Sequence, residues 1–149
     1  MSDIKLKEAA RITAIDTGAT LANAASASGD VDNGTNLYPV CDAYLTLQYG
    51  TAPAAGTKVA ELYCLRGDGE ATEVFPVGAA GAPGTTPQQH TLAGVFESRA
   101  PSTTVDEVLV IYDIPLGAGT NRFLVLNTSG QTWDDTWDLK IKPRLLQVG

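Results

Sequence analysis

Apolar and polar residues alternate with a period of two along most of the chain after Leu37, and this pattern predicts β-strands. The segment 42–49 carries its apolar side chains at every second position, so that they share one face. The segment 106–113 is different, because it contains an uninterrupted apolar run bounded by charge, which predicts a buried strand. In all, strands are predicted at 40–49, 58–66, 90–98, 106–113, 122–127 and 136–142.

Turns rich in glycine, proline and asparagine separate these strands. The loop 78–87 alone contains three Gly and two Pro in ten residues, and further turns are predicted at 116–121 and 127–131. Strands that alternate with helices would indicate a parallel sheet, and the sequence shows no such alternation. The fold class that follows is all-β, an antiparallel two-sheet β-sandwich that is jelly-roll-like.

The first 36 residues are the least regular part of the chain. Ile4, Leu6, Ile12 and Ile15 can supply one or two short strands, and the small-residue stretch 17–29 favours an extended strand over a helix. The cluster 29–36 is typical of a turn. We therefore predict an irregular N-terminal arm and small-residue segment at 1–36, packed on or extending from the domain, and a β-sandwich domain at 37–149.

The chain has 149 residues, of which 44% are apolar and 18% charged, and a net charge of −7. This suits one domain with its own core. A negative surface repels nucleic acid and anionic membranes, and no apolar run reaches the ~18 residues of a membrane span. We expect neither partner. The segment 1–14 contains no uninterrupted apolar run, so we expect synthesis in a cytoplasm without a signal peptide.

Residues that could carry catalysis are few. His90 is the single histidine, no serine lies in a G-x-S-x-G elbow, and no phosphate-binding glycine loop occurs. The Gly-rich segments connect strands and are therefore interpreted as turns. We expect no enzyme activity, no catalytic residues, no cofactor and no metal.

Acidic patches raise one alternative, calcium binding. The turn Asp30-Val31-Asp32-Asn33-Gly34 begins like a calcium loop, but Thr35 stands where glycine is needed and Cys41 where the closing glutamate is needed. Two further patches lie at 68–73 and 134–138. Solvated turn carboxylates are the favoured interpretation for all three.

The two cysteines are predicted to be neighbours. If the strands at 40–49 and 58–66 form a hairpin, its centre falls between Ala52 and Pro53, and Cys41 lies near Cys64. Two small buried core residues are favoured, because free cysteine is commonly buried. A disulfide is the alternative, disfavoured in a reducing cytoplasm.

Trp133 and Trp137 share one face of an extended segment, because they are four residues apart. They form either a core cluster or an exposed platform for a sugar or a protein. The second possibility motivates an alternative function, a carbohydrate-binding β-sandwich module. The tripeptide Arg66-Gly67-Asp68 also matches an integrin-binding motif, although Gly and Asp are expected there for the turn itself.

Four stretches together resemble the small β-rich virion proteins of tailed bacteriophages. They are LANAASA at 21–27, DNGTNLY at 32–38, ELYCLRGDG at 61–69, which leads into Phe75-Pro76, and RFLVLNTSG at 122–130.

This resemblance implies a capsid decoration (cement) protein that binds and stabilises the shell of major capsid protein, or a tail or fibre component. It implies a homo-oligomer, with a trimer as one arrangement, located in the virion and made in the host cytoplasm. It also implies that the arm or the loops 17–36 and 78–87 grip the shell. It supplies no catalytic or ligand-binding residues.

Overall fold

A computed structural model describes residues 4–8, 10–35, 37–66 and 91–148 of the chain. Within these ranges the chain is all-β, with no helix and therefore none that could cross a membrane. The nine strands are β1 Ile4–Glu8, β2 Ile12–Ile15, β3 Ser26–Asp32, β4 Val40–Leu47, β5 Lys58–Leu65, β6 Thr91–Glu97, β7 Glu107–Pro115, β8 Thr120–Asn127 and β9 Asp138–Val148.

Two antiparallel sheets contain these strands. In sheet 1, β1 and β2 pair with successive parts of β9, which pairs with β4, and β4 pairs with β7. Sheet 2 has the order β3-β8-β5-β6. The predicted two-sheet β-sandwich is confirmed.

The pairing is that of one long antiparallel ribbon wrapped on itself. At the open end of this ribbon, which contains the chain's first and last strands, β2 pairs with β9. Next come the pairs β3–β8 and β4–β7, and the pair β5–β6 forms the closed tip. Wrapping the ribbon adds the pairs β4–β9 and β5–β8, which complete the two sheets. This nested order is a jelly roll. Of the described strands, it leaves β6 and β7 as neighbouring edges at the tip of the ribbon, each with a ladder partner on one side.

The core lies between the sheets and follows the alternation in the sequence. The side chains of β4 and β9 that were predicted to share an apolar face are buried, and the charged residues between them in β9 point outward. The inward-facing residues of these two strands and the segments beside them are Ala43, Leu45, Leu47, Tyr49, Trp137, Leu139 and Ile141.

The predicted hairpin of β4 and β5 is wrong. The strand β4 lies between β9 and β7, whereas β5 lies between β8 and β6 in the other sheet, so residues 48–57 cross from one sheet to the other. Both strands are central, with ladder partners on each side. Alternation identifies the buried face of a strand but not its neighbours, which depend on long-range pairing.

Three strands lie within the segment predicted as an arm. β1 and β2 join sheet 1, β3 joins sheet 2, and Ile15 belongs to the core. The predicted turn at 29–36 begins later, because residues 29–32 belong to β3. Gly29 fits there for a steric reason: a Cβ at this position would lie 1.8 Å from the carbonyl oxygen of Ala14 in β2. The two strands therefore approach backbone to backbone.

Candidate contact surface

Trp133 and Trp137 lie inside the molecule. Both side chains are almost fully buried, and their rings meet edge to face with centroids 5.3 Å apart. The indole N–H of Trp137 donates a hydrogen bond to the carbonyl oxygen of Ala19 at 2.9 Å. The core interpretation is confirmed, and the exposed platform is wrong because neither ring face is open to a ligand.

The acidic residues at 30–32 have partners within the protein. Asp30 forms an ion pair with Arg122, with an N–O distance of 2.7 Å, and Asp32 accepts the amide of Gly34 at 2.7 Å. In the described ranges, no group of three or more His, Cys, Asp or Glu side chains could hold a metal ion. The patch 68–73, the loop 78–87, His90 and the pair Gly67-Asp68 lie outside the described residues.

Cys41 and Cys64 are free thiols buried in the core. Burial raises the pKa of Cys64 to about 11. Burial also raises the pKa of Cys41, and the nearby Cys64 adds to this effect, so the two thiols lie within electrostatic range of each other. The interpretation as buried core residues is confirmed. Neither thiol is activated for nucleophilic chemistry, which needs a lowered pKa.

The free edges β6 and β7 carry an exposed apolar surface. We call it the edge surface and define it by Leu92, Val95, Val108 and Tyr112. The exposed fractions are 53% for Leu92, 51% for Val108 and 65% for Tyr112. A groove of about 450 Å³ runs along it, with Glu97 and Arg99 among its lining residues.

This surface corrects the expectation of a buried strand at 106–113. Only one face of β7 points into the core, through Leu109 and Ile114. Val108 and Tyr112 point outward from a strand that pairs, within the described ranges, with β4 alone. The sequence contains no signal for this, because an uninterrupted apolar run has no polar face to mark the outside.

The opposite side of the sandwich is closed. There β2 and β3 approach each other at Gly29, and the edge strand β3 carries Asp30 in its ion pair with Arg122. Charged residues and close coverage are the usual protection of a free edge. The edge surface has no charged side chain along residues 108–112, although Gly94 of β6 packs closely against Ile111 of β7. Exposed apolar patches of this kind mark sites of protein contact.

A buried carboxylate fixes one end of the edge surface. Glu107 accepts hydrogen bonds from the Ser98 hydroxyl at 2.7 Å and from the amides of Arg99 and Ala100 at 2.6 and 2.9 Å. These bonds anchor the loop that joins β6 to β7. Burial raises the pKa of the neighbouring Tyr49 to about 12, and the charge of Glu107 contributes.

A β-bulge fixes the other end. Asp42 of β4 lies opposite two residues of β7, Tyr112 and Asp113, and Asp113 has a positive φ of 60°. The carboxylate of Asp42 accepts the Asp113 amide at 3.0 Å, and Arg144 pairs with both aspartates.

The ion pair at this bulge lowers the pKa of Asp42. Burial acts to raise the pKa of Asp42, but the hydrogen bonds from Arg144 and the Asp113 amide outweigh it and lower the pKa. Asp42 is therefore an anion that holds the bulge, and the bulge ends the regular row of outward side chains at Tyr112.

No protein-family model matches the chain, and no curated protein matches it either.

Proposed function

We propose that this chain is a structural virion protein of a tailed bacteriophage, a capsid decoration protein that binds and stabilises the shell of major capsid protein. In this proposal the protein works by contact, as an oligomer located in the virion, and not as an enzyme. A tail or fibre component is the nearest variant of the same proposal.

The edge surface is the observation that supports the central part of this proposal, a protein that works by contact with other protein chains and as an oligomer. Its apolar side chains lie on two strand edges that have no ladder partner in the part of the chain that the structure describes, where backbone N–H and C=O groups face outward. A surface of this kind suits a second protein chain, which can cover the apolar side chains and pair with the edges.

The fold and the charge are compatible with this function. Jelly rolls occur in viral capsid domains, although they also occur in lectins and cupins, so the fold alone does not decide. The net charge of −7 keeps an abundant protein soluble before it assembles.

The carbohydrate-binding alternative loses the feature that motivated it. That alternative depended on Trp133 and Trp137 as a sugar platform, and both rings are buried in the core. Nothing in the geometry of the described residues favours it over protein contact.

Co-sedimentation tests the proposal. The protein is mixed with empty shells assembled from the major capsid protein of the bacteriophage that this proposal implies. We expect it to pellet with the shells and to saturate at a fixed ratio to the capsid protein. A protein that stays in the supernatant at every ratio would show that the proposal is wrong.

Deletion of residues 1–9 tests the idea that the arm grips the shell. A longer deletion of 1–16 would remove β2 and Ile15 from the core, whereas 1–9 removes only β1, which pairs with Arg144–Val148 at the end of β9. We expect the shortened protein to remain folded and to lose affinity for shells. Unchanged affinity, with an unchanged circular dichroism spectrum, would place the shell contact elsewhere.

A further inference from the structure

The strand β7 has the features of a strand that pairs with a copy of itself. Among the described residues its outer edge has no ladder partner, and β7 extends over nine residues, from Glu107 to Pro115. An unpaired edge of this length and without charge along its middle is a template for another strand. The strand that pairs with this edge must have side chains that are complementary to those of β7.

The row of outward side chains on β7 is self-complementary. Val108, Val110 and Tyr112 point to the outer face of sheet 1, because they alternate with the inward Leu109 and Ile111. When two copies of β7 pair antiparallel about Val110, Val110 faces its own counterpart, and Val108 of each copy faces Tyr112 of the other. Pairs of an aromatic with a β-branched residue are among the favourable cross-strand pairs.

Charge permits this contact despite the net charge of −7 on each copy. The paired residues 108–112 are all uncharged, so no like charges oppose each other at the centre. Glu107 and Asp113 meet at the two ends of the pairing. Each carboxylate already has a partner within its own copy. Asp113 forms an ion pair with Arg144, and Glu107 accepts hydrogen bonds from the Ser98 hydroxyl and two backbone amides.

The groove gives the exposed tyrosine a place to bind. In the same arrangement, Tyr112 of each copy lies against Val108 of the other copy, and Val108 is one of the residues that line the groove. A large aromatic side chain that fills a groove at the centre of a contact is a typical source of binding energy.

We propose that a second copy of this chain covers the edge surface, with the two β7 strands paired antiparallel across a two-fold axis at Val110. Sheet 1 then continues through both copies. Such a contact is isologous and closes at a dimer. This inference deepens the proposed function and rests on its oligomeric form, because it names the surface through which copies join before they meet a shell.

A pair of charge variants at position 110 tests this register. Val110→Lys places two like charges opposite each other across the axis, and Val110→Glu does the same with the opposite sign. We expect the wild-type protein to sediment at twice the 15.6 kDa mass of the chain, and each variant alone at the single mass. An equimolar mixture of the two variants should return to the double mass, because lysine then faces glutamate.

The control is Leu37→Lys, which adds the same charge at another exposed apolar side chain, in the turn between β3 and β4. It should keep the double mass. A wild-type protein at the single mass, variants that remain dimers, or a mixture that stays at the single mass would each overturn the inference. Circular dichroism of every variant confirms that it is folded.

The same proteins separate this inference from the proposed function. If the wild-type protein is the predicted dimer but does not pellet with shells, the decoration function fails and the two-fold contact stands. If it pellets with shells as a single chain, the two-fold contact fails and the decoration function stands.

Discussion

At the scale of single residues, the buried carboxylate of Glu107 accepts its hydrogen bonds from groups of its own chain. Two backbone amides and one hydroxyl point at it from the turn after β6. A glutamine at position 107 would place an N–H group opposite these donors, which cannot accept a hydrogen bond from it. The turn therefore depends on a carboxylate at this position.

Glu107→Gln is therefore expected to lower the free energy of unfolding by about 1–3 kcal/mol, measured by urea denaturation. The matched control is Glu97→Gln on β6, which makes the same chemical change at an exposed side chain. It should change stability by less than about 0.5 kcal/mol. Equal effects of the two substitutions would contradict the structural role of Glu107.

The buried thiols predict a pH dependence. Burial raises the pKa of Cys64 from 9.0 to about 11, so the unfolded chain releases this proton at a lower pH than the folded protein does. The contribution to stability is complete below pH 9 and is lost as the pH rises toward 11. Urea denaturation at several pH values should show this decline, and it should be shallower in Cys64→Ala. Parallel declines in the two proteins would refute the assignment.

At the scale of strands, the close approach of β2 and β3 is the feature that closes one side of the sandwich. Gly29→Ala should cost more than about 2 kcal/mol, since its Cβ would lie 1.8 Å from a backbone oxygen, which cannot rotate away. Gly50→Ala is the control, because its Cβ would lie 3.6 Å from the nearest atom. Thermal unfolding of both variants makes the comparison, and similar midpoints would mean that the strands can separate freely.

Strands also mark how far the sequence predicts the structure. The period-two pattern of β4 and β9 identified their buried faces, because a sandwich core is built from alternate residues. The same pattern could not predict that β4 and β5 lie in different sheets. Each strand buries one apolar face whether the two form a hairpin in one sheet or lie in separate sheets. The edge surface was missed for a related reason: an apolar run looks the same in a sequence whether its own chain or another covers it.

At the scale of the whole molecule, the two sides of the jelly roll differ in chemistry. On the side formed by β2 and β3 the strands approach backbone to backbone and carry an ion pair. The side formed by β6 and β7 exposes apolar side chains and has no charged residue along 108–112. This asymmetry is the physical basis for our proposal that the protein works by contact with other chains. Because the edge surface lies at the tip of the wrapped ribbon, another chain can cover it without disturbing the core.

Scanning calorimetry of empty shells, with and without the protein, tests the central claim most directly. A decoration protein that binds assembled shells and not dissociated subunits must stabilise the shell by mass action. We predict that the shell transition moves to higher temperature as the protein is added and that the shift levels off at saturation. A shell transition that stays at the same temperature at every concentration of the protein would contradict the account.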